Sequence, residues 1–240
     1  MHEEYTVLFE KYLKLSNEKS ALRDCVISTV HNLYGDKLLN ILDIGCGDGS
    51  LSTALAKDGN VVSAIDLRDS FLGDGVDFKC VGIFDYSPKK KFDLIIMAYF
   101  LWELPLEKWD EVFMKCKNML NDNGKIFVID VCNESKFDNV FVEFNLVNDE
   151  SQQELTYYWD NYCEGKNIKA ERVSFKSSIT SNNANELYEA LSFFFKEPFM
   201  EKIYKERKQE FIKFFENKKN ENGEISVQTC HSLDILSNMT

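Results

Sequence analysis

No apolar run in this chain approaches the roughly 20 residues a membrane-spanning helix needs; the longest, such as Leu94–Leu101, fall well short, so no membrane partner is expected. The opening MHEEYTVLFEKY is acidic and amphipathic, unlike a signal or transit peptide. No two cysteines stand at CxxC spacing. The seven are scattered (25, 46, 80, 116, 132, 163 and 230), and the only histidines are at 2, 31 and 231. That argues against a zinc site and reads as reduced thiols in a cytoplasmic protein. No carboxylate cluster suited to Mg²⁺ stands out, so no metal is expected. Basic residues are in short supply: 28 Lys and Arg against 40 Asp and Glu, a net charge of −12. A nucleic-acid partner relies on a basic surface, so none is expected; a small molecule, including a cationic one, suits the balance better. There is no internal repeat and no long linker.

At 240 residues, 44% hydrophobic, the chain can bury one sizeable core. Residues 1–36 read as two helices, with Tyr5, Leu8, Phe9, Tyr12 and Leu13 at helical spacing and a second striped segment at Ala21–Leu33. The rhythm then changes. Short apolar runs at Ile41–Ile44, Val61–Ile65, Phe78–Val81, Phe92–Ala98 and Ile126–Val131 alternate with helix-like stretches at Leu51–Lys57 and Leu106–Leu120. That alternation builds a parallel, doubly wound α/β sheet. NDNG (121–124) reads as a turn feeding the fifth strand. Residues 133–168, polar and aromatic, read as an insertion over one end of the sheet, before a strand at Ala170–Ser177, two helical stretches and a last extended run at Ile225–Leu236.

The turn after the first strand is Gly45-Cys46-Gly47-Asp48-Gly49. Glycines there permit positive φ and let a ligand approach the backbone. Asp66 ends the second strand 17 residues after Gly49, where a carboxylate can accept hydrogen bonds from ribose hydroxyls. A dinucleotide would fit so far. Its fingerprint, however, wants GxGxxG, whereas Ser50 takes the last glycine's place and Gly49 comes one residue early. Asp43 and Asp48 also flank the turn, where a diphosphate would be repelled and a sulfonium with an amino-acid end would not.

D-x-G-x-G-x-G at 43–49 resembles the first motif of the class I S-adenosylmethionine-dependent methyltransferases. GIFDY (82–86), FDLIIMAYFLWEL (92–104) and MLNDNGKIFVID (119–130) are similar to that family's later core segments, in order and spacing. The resemblance implies a Rossmann-like doubly wound sheet, mostly parallel with an antiparallel C-terminal strand. It implies one methyltransferase domain over 1–240: a helical N-terminal lid (1–36), a cofactor-binding core (37–131), a substrate-side insertion after the fifth strand (132–168) and the C-terminal half of the sheet (169–240). The implied cofactor is S-adenosylmethionine, leaving as S-adenosylhomocysteine, bound by Tyr5, Asp43, Gly45, Cys46, Gly47, Asp66, Leu67, Phe84, Asp85 and Ala98. Many members carry an aspartate after the glycine at 82; this chain has Ile83, which moves the expected adenine contacts to Phe84 and Asp85.

Methyl transfer asks chiefly for alignment and exclusion of water, so the acceptor is inferred from the residues around the site. Aromatic residues gather in three places: Tyr5, Phe9 and Tyr12; Tyr99 and Trp102 with Glu103; and Tyr157, Tyr158, Trp159 and Tyr162. Rings with a few carboxylates suit an ammonium or imidazolium group, although each ring can equally be core or lid packing. EYTVLFEKYLKLSNEKS (4–20) is similar to the amino-terminal segment of histamine N-methyltransferase and its relatives, whose amine-lining positions fall on Tyr5, Phe9 and Glu18. Their substrate-binding glutamine falls on Tyr99 and their C-terminal asparagine on Thr229 or Gln228, departures that point to another small amine or N-heterocycle. The implied acceptor set is Tyr5, Phe9, Glu18, Tyr99, Trp102, Tyr158, Trp159 and Thr229, with Glu18 or Glu103 in proton removal. Glu18 reads equally as a helix-capping carboxylate and Glu103 as a solvent-facing residue beside Pro105. An O- or C-methyltransferase, or a non-catalytic methyltransferase-like subunit, are the competing readings.

Overall fold

The computed structural model describes residues 2–132, 140–144, 154–195 and 198–237; for 2–6, 9, 141–142, 154–158, 193 and 198–199 the backbone alone is described. In chain order come α1 (His2–Leu15), α2 (Glu18–Tyr34), β1 (Asn40–Ile44), α3 (Ser50–Lys57), β2 (Val61–Asp66), β3 (Asp77–Cys80) and β4 (Phe92–Ala98). They are followed by α4 (Trp109–Met119), β5 (Leu120–Val131), α5 (Val140–Glu143), α6 (Glu154–Gly165), β6 (Ala170–Ser181), α7 (Ala184–Leu191), α8 (Pro198–Glu206), α9 (Lys208–Glu216) and β7 (Ile225–Ser237).

The sheet order is β3-β2-β1-β4-β5-β7-β6. The first five strands pair in parallel and β7 runs antiparallel to β5. This is the mostly parallel sheet with an antiparallel C-terminal strand that the sequence implies. The chain steps outward from β1 through β2 to β3, then returns to the other side of β1 with β4. A crevice therefore opens beyond the carboxyl ends of β1 and β4, where such sheets place their ligands.

Packing divides the chain into two compact units. One gathers Leu22–Cys132, Gln153–Phe175 and His231–Thr240; the other Met1–Ala21, Asn133–Gln152 and Lys176–Cys230. In the first of these, residues alternate between the two sheet faces, as the two-residue period of a strand requires. Leu42, Ile95, Met97 and Val128 face Trp109, Val112, Phe113 and Cys116, the buried stripe of α4 at helical spacing. Ile41, Leu94, Ile96 and Phe127 face Leu22, Val26 and Val30 of α2 and Leu51 and Leu55 of α3. Covered on both faces, β1 and β4 are apolar at most positions, with Asp43 as a buried exception in β1.

In the other unit α1, α7 and α9 pack an aromatic core that includes Tyr12, Phe195, Tyr204, Phe211 and Phe215. Tyr188 and Tyr204 stack, and each hydroxyl donates to the other's backbone carbonyl, at 2.9 and 2.5 Å. Asn183 caps α7, its side-chain oxygen accepting from the Asn185 N–H at 2.9 Å.

One local expectation changes. NDNG lies inside β5, where pairing with β4 jumps from Phe92–Leu120 to Leu94–Lys125. Residues 121–124 loop out opposite Asp93, with Asn123 at φ +66, so the turn chemistry makes a bulge instead of ending the strand. Asp93 steadies it, accepting from the Asn121 amide at 3.2 Å and the Asn40 N–H at 2.9 Å.

Candidate functional site

The glycine turn is fixed by its backbone. Gly45 and Cys46 both donate to the Ile65 carbonyl, at 2.8 and 3.1 Å, tying the end of β1 to β2. Gly45, Gly47 and Gly49 all have positive φ, +72, +56 and +77. The space beside them differs. A Cβ on Gly45 would lie 2.7 Å from the Phe100 ring, and one on Gly49 only 2.1 Å from the Phe71 ring. On Gly47 it would meet nothing within 4 Å. The turn is packed at both ends and open in the middle.

Beside that opening stands Asp66, 7% exposed at the end of β2. One carboxylate oxygen accepts the Gly47 N–H at 2.9 Å and the other the Arg68 N–H at 2.8 Å. Arg68 Nε also stands 3.6 Å from that second oxygen, beyond hydrogen-bond reach, so each oxygen keeps a further lone-pair direction, two acceptors at the spacing of a vicinal diol. Leu67 is 79% exposed, and its side chain lies against Gly82. Phe84 is half-buried with the Lys108 ammonium 5.4 Å from its ring centroid, and Asp85 is exposed. Ile83 is 4% exposed in the core, which explains an apolar residue there. Ala98 ends β4 opposite Ile129.

Asp43 is buried beneath the turn, accepting from the Ser52 hydroxyl at 2.5 Å. Burial pushes its carboxyl up to about 6; the Ser52 hydrogen bond opposes this and the charge of Asp66 adds to it. Burial, then the charges of Asp43 and Asp66, also pushes up the Cys46 thiol, which stays protonated. His231 moves the other way, burial lowering it to about 4. The consequences for stability oppose each other. Folded Asp43 keeps its proton at a pH where the unfolded chain has lost it, so its stabilising share appears only as pH falls below about 6. The stability linked to neutral His231 is complete above its ordinary 6.5 and disappears as pH falls toward 4. Asp43→Asn removes the first contribution alone. Urea unfolding without ligand should show its stability, relative to the unchanged chain, falling by about 2 kcal/mol between pH 7 and pH 4.5. An equal difference at the two pH values would remove Asp43 as the titrating group.

Beyond β4 the chain makes a turn of 3-10 helix at Leu101–Glu103. Trp102 is 52% exposed, its indole N–H donating to the Tyr99 carbonyl at 2.7 Å, and Glu103 is exposed. A crevice beside this turn is lined by Trp102, Trp109, Trp159, Asp130, Ser232 and Asp234 among others; its free space of about 20 Å³ is room for a water. Trp159 is buried between Trp109, Phe113 and Tyr162, and its N–H donates to Asp234 at 2.8 Å. Asp234, 1% exposed, also takes Arg172 Nε at 2.7 Å and Nη2 at 3.0 Å, while Arg172 Nη2 reaches Asp160 at 2.7 Å.

The structure thus brings Asp43, Gly45, Cys46, Gly47, Asp66, Leu67, Phe84, Asp85, Ala98, Tyr99, Trp102, Glu103 and Trp159 into one unit. Tyr5, Phe9, Glu18 and Thr229 belong to the other. There Tyr12 is 1% exposed and its hydroxyl donates to the Glu18 carboxylate. Ser16 Oγ accepts the Glu18 N–H at 3.0 Å, a cap for α2, and Thr229 is buried. The side chains of Tyr5, Phe9, Tyr157 and Tyr158 lie outside the described residues. Phe71, Phe100, Asp130, Arg172, His231 and Asp234 were not among the expected site residues. The signal for Asp234 was there: a carboxylate set among the apolar Leu233, Ile235 and Leu236 at the end of the last strand. Among the described residues no group of three or more His, Cys, Asp or Glu could hold a metal ion. Among them, too, no helix is long and apolar enough to cross a membrane.

Comparison with known proteins agrees with this geometry. Residues 42–126 match a family described as a methyltransferase domain. A ubiquinone biosynthesis O-methyltransferase of Idiomarina loihiensis is 31% identical over 107 residues, 40% of this chain and 42% of that one. An uncharacterized methyltransferase of Staphylococcus carnosus is 26% identical over 169 residues, 65% of this chain and 75% of that one. The match to the Idiomarina relative thus spans less than half of its length. Among solved structures, a protein assigned as a methyltransferase from Bacillus halodurans superposes with a TM-score of 0.52 at 15% identity, covering 89% of this chain and 98% of its own. The plantazolicin methyltransferase, in complex with a monoazolic analogue and S-adenosylhomocysteine, gives 0.50 at 15% identity over 99% of this chain and 88% of its own. At such identities the structural likeness speaks for the fold.

Proposed function

We propose that this chain, a class I S-adenosylmethionine-dependent methyltransferase by its matched core and its sheet, methylates a small molecule, an amine or N-heterocycle. The observation that carries the reading is the open face of Gly47 beside the two spare acceptor directions of Asp66. A diol held by Asp66 leaves the rest of the nucleoside to run past Leu67 toward Phe84 and Asp85. The amino-acid end then lies along Gly45, Cys46 and Gly47, with Asp43 beneath and Ala98 completing the set. The cofactor supplies a methyl carbon activated by sulfonium, and what the protein adds is alignment.

For the acceptor we assign Tyr99, Trp102, Tyr158 and Trp159, which belong to the same unit as the glycine turn. Indole faces beside carboxylates favour a cation, and the crevice between Trp102 and Trp159 has that composition. As it stands it has room for a water only, so a ring enters by displacing the half-exposed Trp102 indole. Glu103 takes the proton an ammonium must lose before it can attack. The Idiomarina relative, a ubiquinone biosynthesis O-methyltransferase, favours a second reading, transfer to oxygen.

Calorimetry with S-adenosylhomocysteine, followed by turnover of a labelled methyl donor with amines, N-heterocycles and phenols, tests this reading. We expect micromolar binding, turnover with nitrogen acceptors, and a raised KM for cationic acceptors in Glu103→Gln with cofactor affinity kept. Binding without turnover on any acceptor would point to a non-catalytic subunit. Turnover confined to phenols would favour the second reading, and an unchanged KM would remove Glu103.

A further inference from the structure

On the sheet face away from the crevice, Tyr99 meets a partner, His231, that the reading above does not use. Tyr99 directly follows β4, at the switch in strand order. Among the described non-glycine residues only Tyr99, Asn123 and Asn167 have positive φ, and Tyr99 is at +53. Asparagine tolerates that region through its short polar side chain; tyrosine does not, so its surroundings must hold it there. Three hydrogen bonds do so. The Tyr99 N–H donates to the Ile129 carbonyl at 2.8 Å, and its carbonyl accepts the Trp102 indole N–H at 2.7 Å. Its hydroxyl shares a hydrogen bond with His231 Nδ1 at 2.8 Å. His231 is completely buried and stacked on Phe175, ring centroids 4.9 Å apart and planes 14° from parallel. The next residue, Phe100, has its ring against Gly45, which is why no Cβ fits there.

We propose that Tyr99 and His231 form a clasp that positions the glycine turn for the methyl donor. The hydroxyl seated on His231 holds residue 99 left-handed, and that conformation sets Phe100 against Gly45. The turn is thereby packed at Gly45 and left open at Gly47. His231 is then a positioning residue acting through Tyr99. Burial keeps its imidazole neutral down to about pH 4, so the contact persists over any ordinary working range. Trp102, pinned to the same residue, carries the clasp to the crevice. This inference rests on the functional reading above, since it takes the turn to be the donor site.

The test is S-adenosylhomocysteine affinity measured by calorimetry on the full chain, beside melting temperatures of the same samples. Tyr99→Phe keeps the ring and removes the hydroxyl; Tyr99→Gly removes both and relieves the left-handed backbone. Tyr34→Phe is the control, a phenol whose hydroxyl donates to the Asp93 carbonyl at the start of β4. We expect about five- to tenfold weaker binding in Tyr99→Phe, the size of one lost hydrogen bond. Tyr99→Gly should bind at least as weakly and melt lower, since the lost ring packing exceeds the relief of the left-handed backbone. Tyr99→Phe should lose affinity out of proportion to its small change in melting temperature, and Tyr34→Phe should bind normally. Unaltered affinity in Tyr99→Phe overturns the clasp, and so does affinity that falls only in step with melting temperature across all three variants. An unchanged chain that gives no heat with S-adenosylhomocysteine removes the donor-site reading and the clasp with it. Binding by that chain together with an unaffected Tyr99→Phe removes the clasp alone.

Discussion

Asp66→Ala should lose S-adenosylhomocysteine binding by a factor on the order of 10² to 10⁴, the largest effect expected of any single change at the turn. The size follows from the lone pairs of one carboxylate. Its two oxygens each take one backbone N–H, from Gly47 and Arg68, and each has one direction left. Two hydrogen bonds from a diol to an ionised acceptor contribute about 1.5–3 kcal/mol each. The Gly47 contact adds to the loss, because the open middle of the turn is held by the same carboxylate. Asp66→Asn separates the two contributions. One amide oxygen can keep one of the backbone contacts, while the amide nitrogen meets the other N–H donor to donor. Its affinity should therefore fall nearly as far as that of the alanine variant. Asp85→Ala, at an exposed residue, should weaken binding far less. Calorimetry on the three proteins decides it, and an Asp66→Ala affinity within tenfold of the unchanged chain would move the ribose elsewhere.

The reach of the sequence can be judged from particular residues. The glycine turn and the strands leading to it were legible because local chemistry dictates them. Glycine at 45, 47 and 49 anticipates left-handed backbone, and all three positions have it. Apolar runs anticipate strands covered on both faces, and Leu94–Met97, like Ile41, Leu42 and Ile44, are fully buried. What could not be read was how far apart in the chain the partners of a buried group lie. His231 meets Tyr99 across 132 positions, and Asp234 meets Arg172 across 62. No period or motif couples such pairs; only the completed sheet, with β7 beside β5, brings them together. NDNG failed for a related reason. Its turn preference is real, as Asn123 shows, but strand pairing resumed on both sides and absorbed it as a bulge. Aromatic density misled in one respect: Tyr12, grouped with Tyr5 and Phe9 by spacing, is among the most buried side chains of its unit. Spacing tells which residues share a helix face, and the tertiary packing decides what covers it.

Asp234→Ala should lower stability by about 3 kcal/mol, a fall in Tm of roughly 6–12 °C for a chain of this size. The carboxylate is 1% exposed and holds three donors at once: the Trp159 indole N–H and two nitrogens of Arg172. Removing it leaves the indole N–H in a packed aromatic cluster, a loss of about 1–3 kcal/mol. It also leaves a partly buried guanidinium without its main partner. The full 3–5 kcal/mol of a broken buried pair is not expected. The Arg172 side chain is 38% exposed and keeps Asp160, so it can turn toward water. Asp160→Ala supplies the internal comparison. That carboxylate is 53% exposed, and its loss should stay within about 0.5 kcal/mol. Asp234→Asn should fall between them, its amide oxygen still accepting the indole N–H while its nitrogen repels Arg172. Urea unfolding of the three variants measures the order, and an Asp234→Ala within 1 kcal/mol of the unchanged chain would show the network to be dispensable. Because Trp159 and Asp234 both line the crevice, a freed indole should also raise the KM of an acceptor bound there. Cofactor affinity, set at the glycine turn, should be nearly unchanged in the same variant.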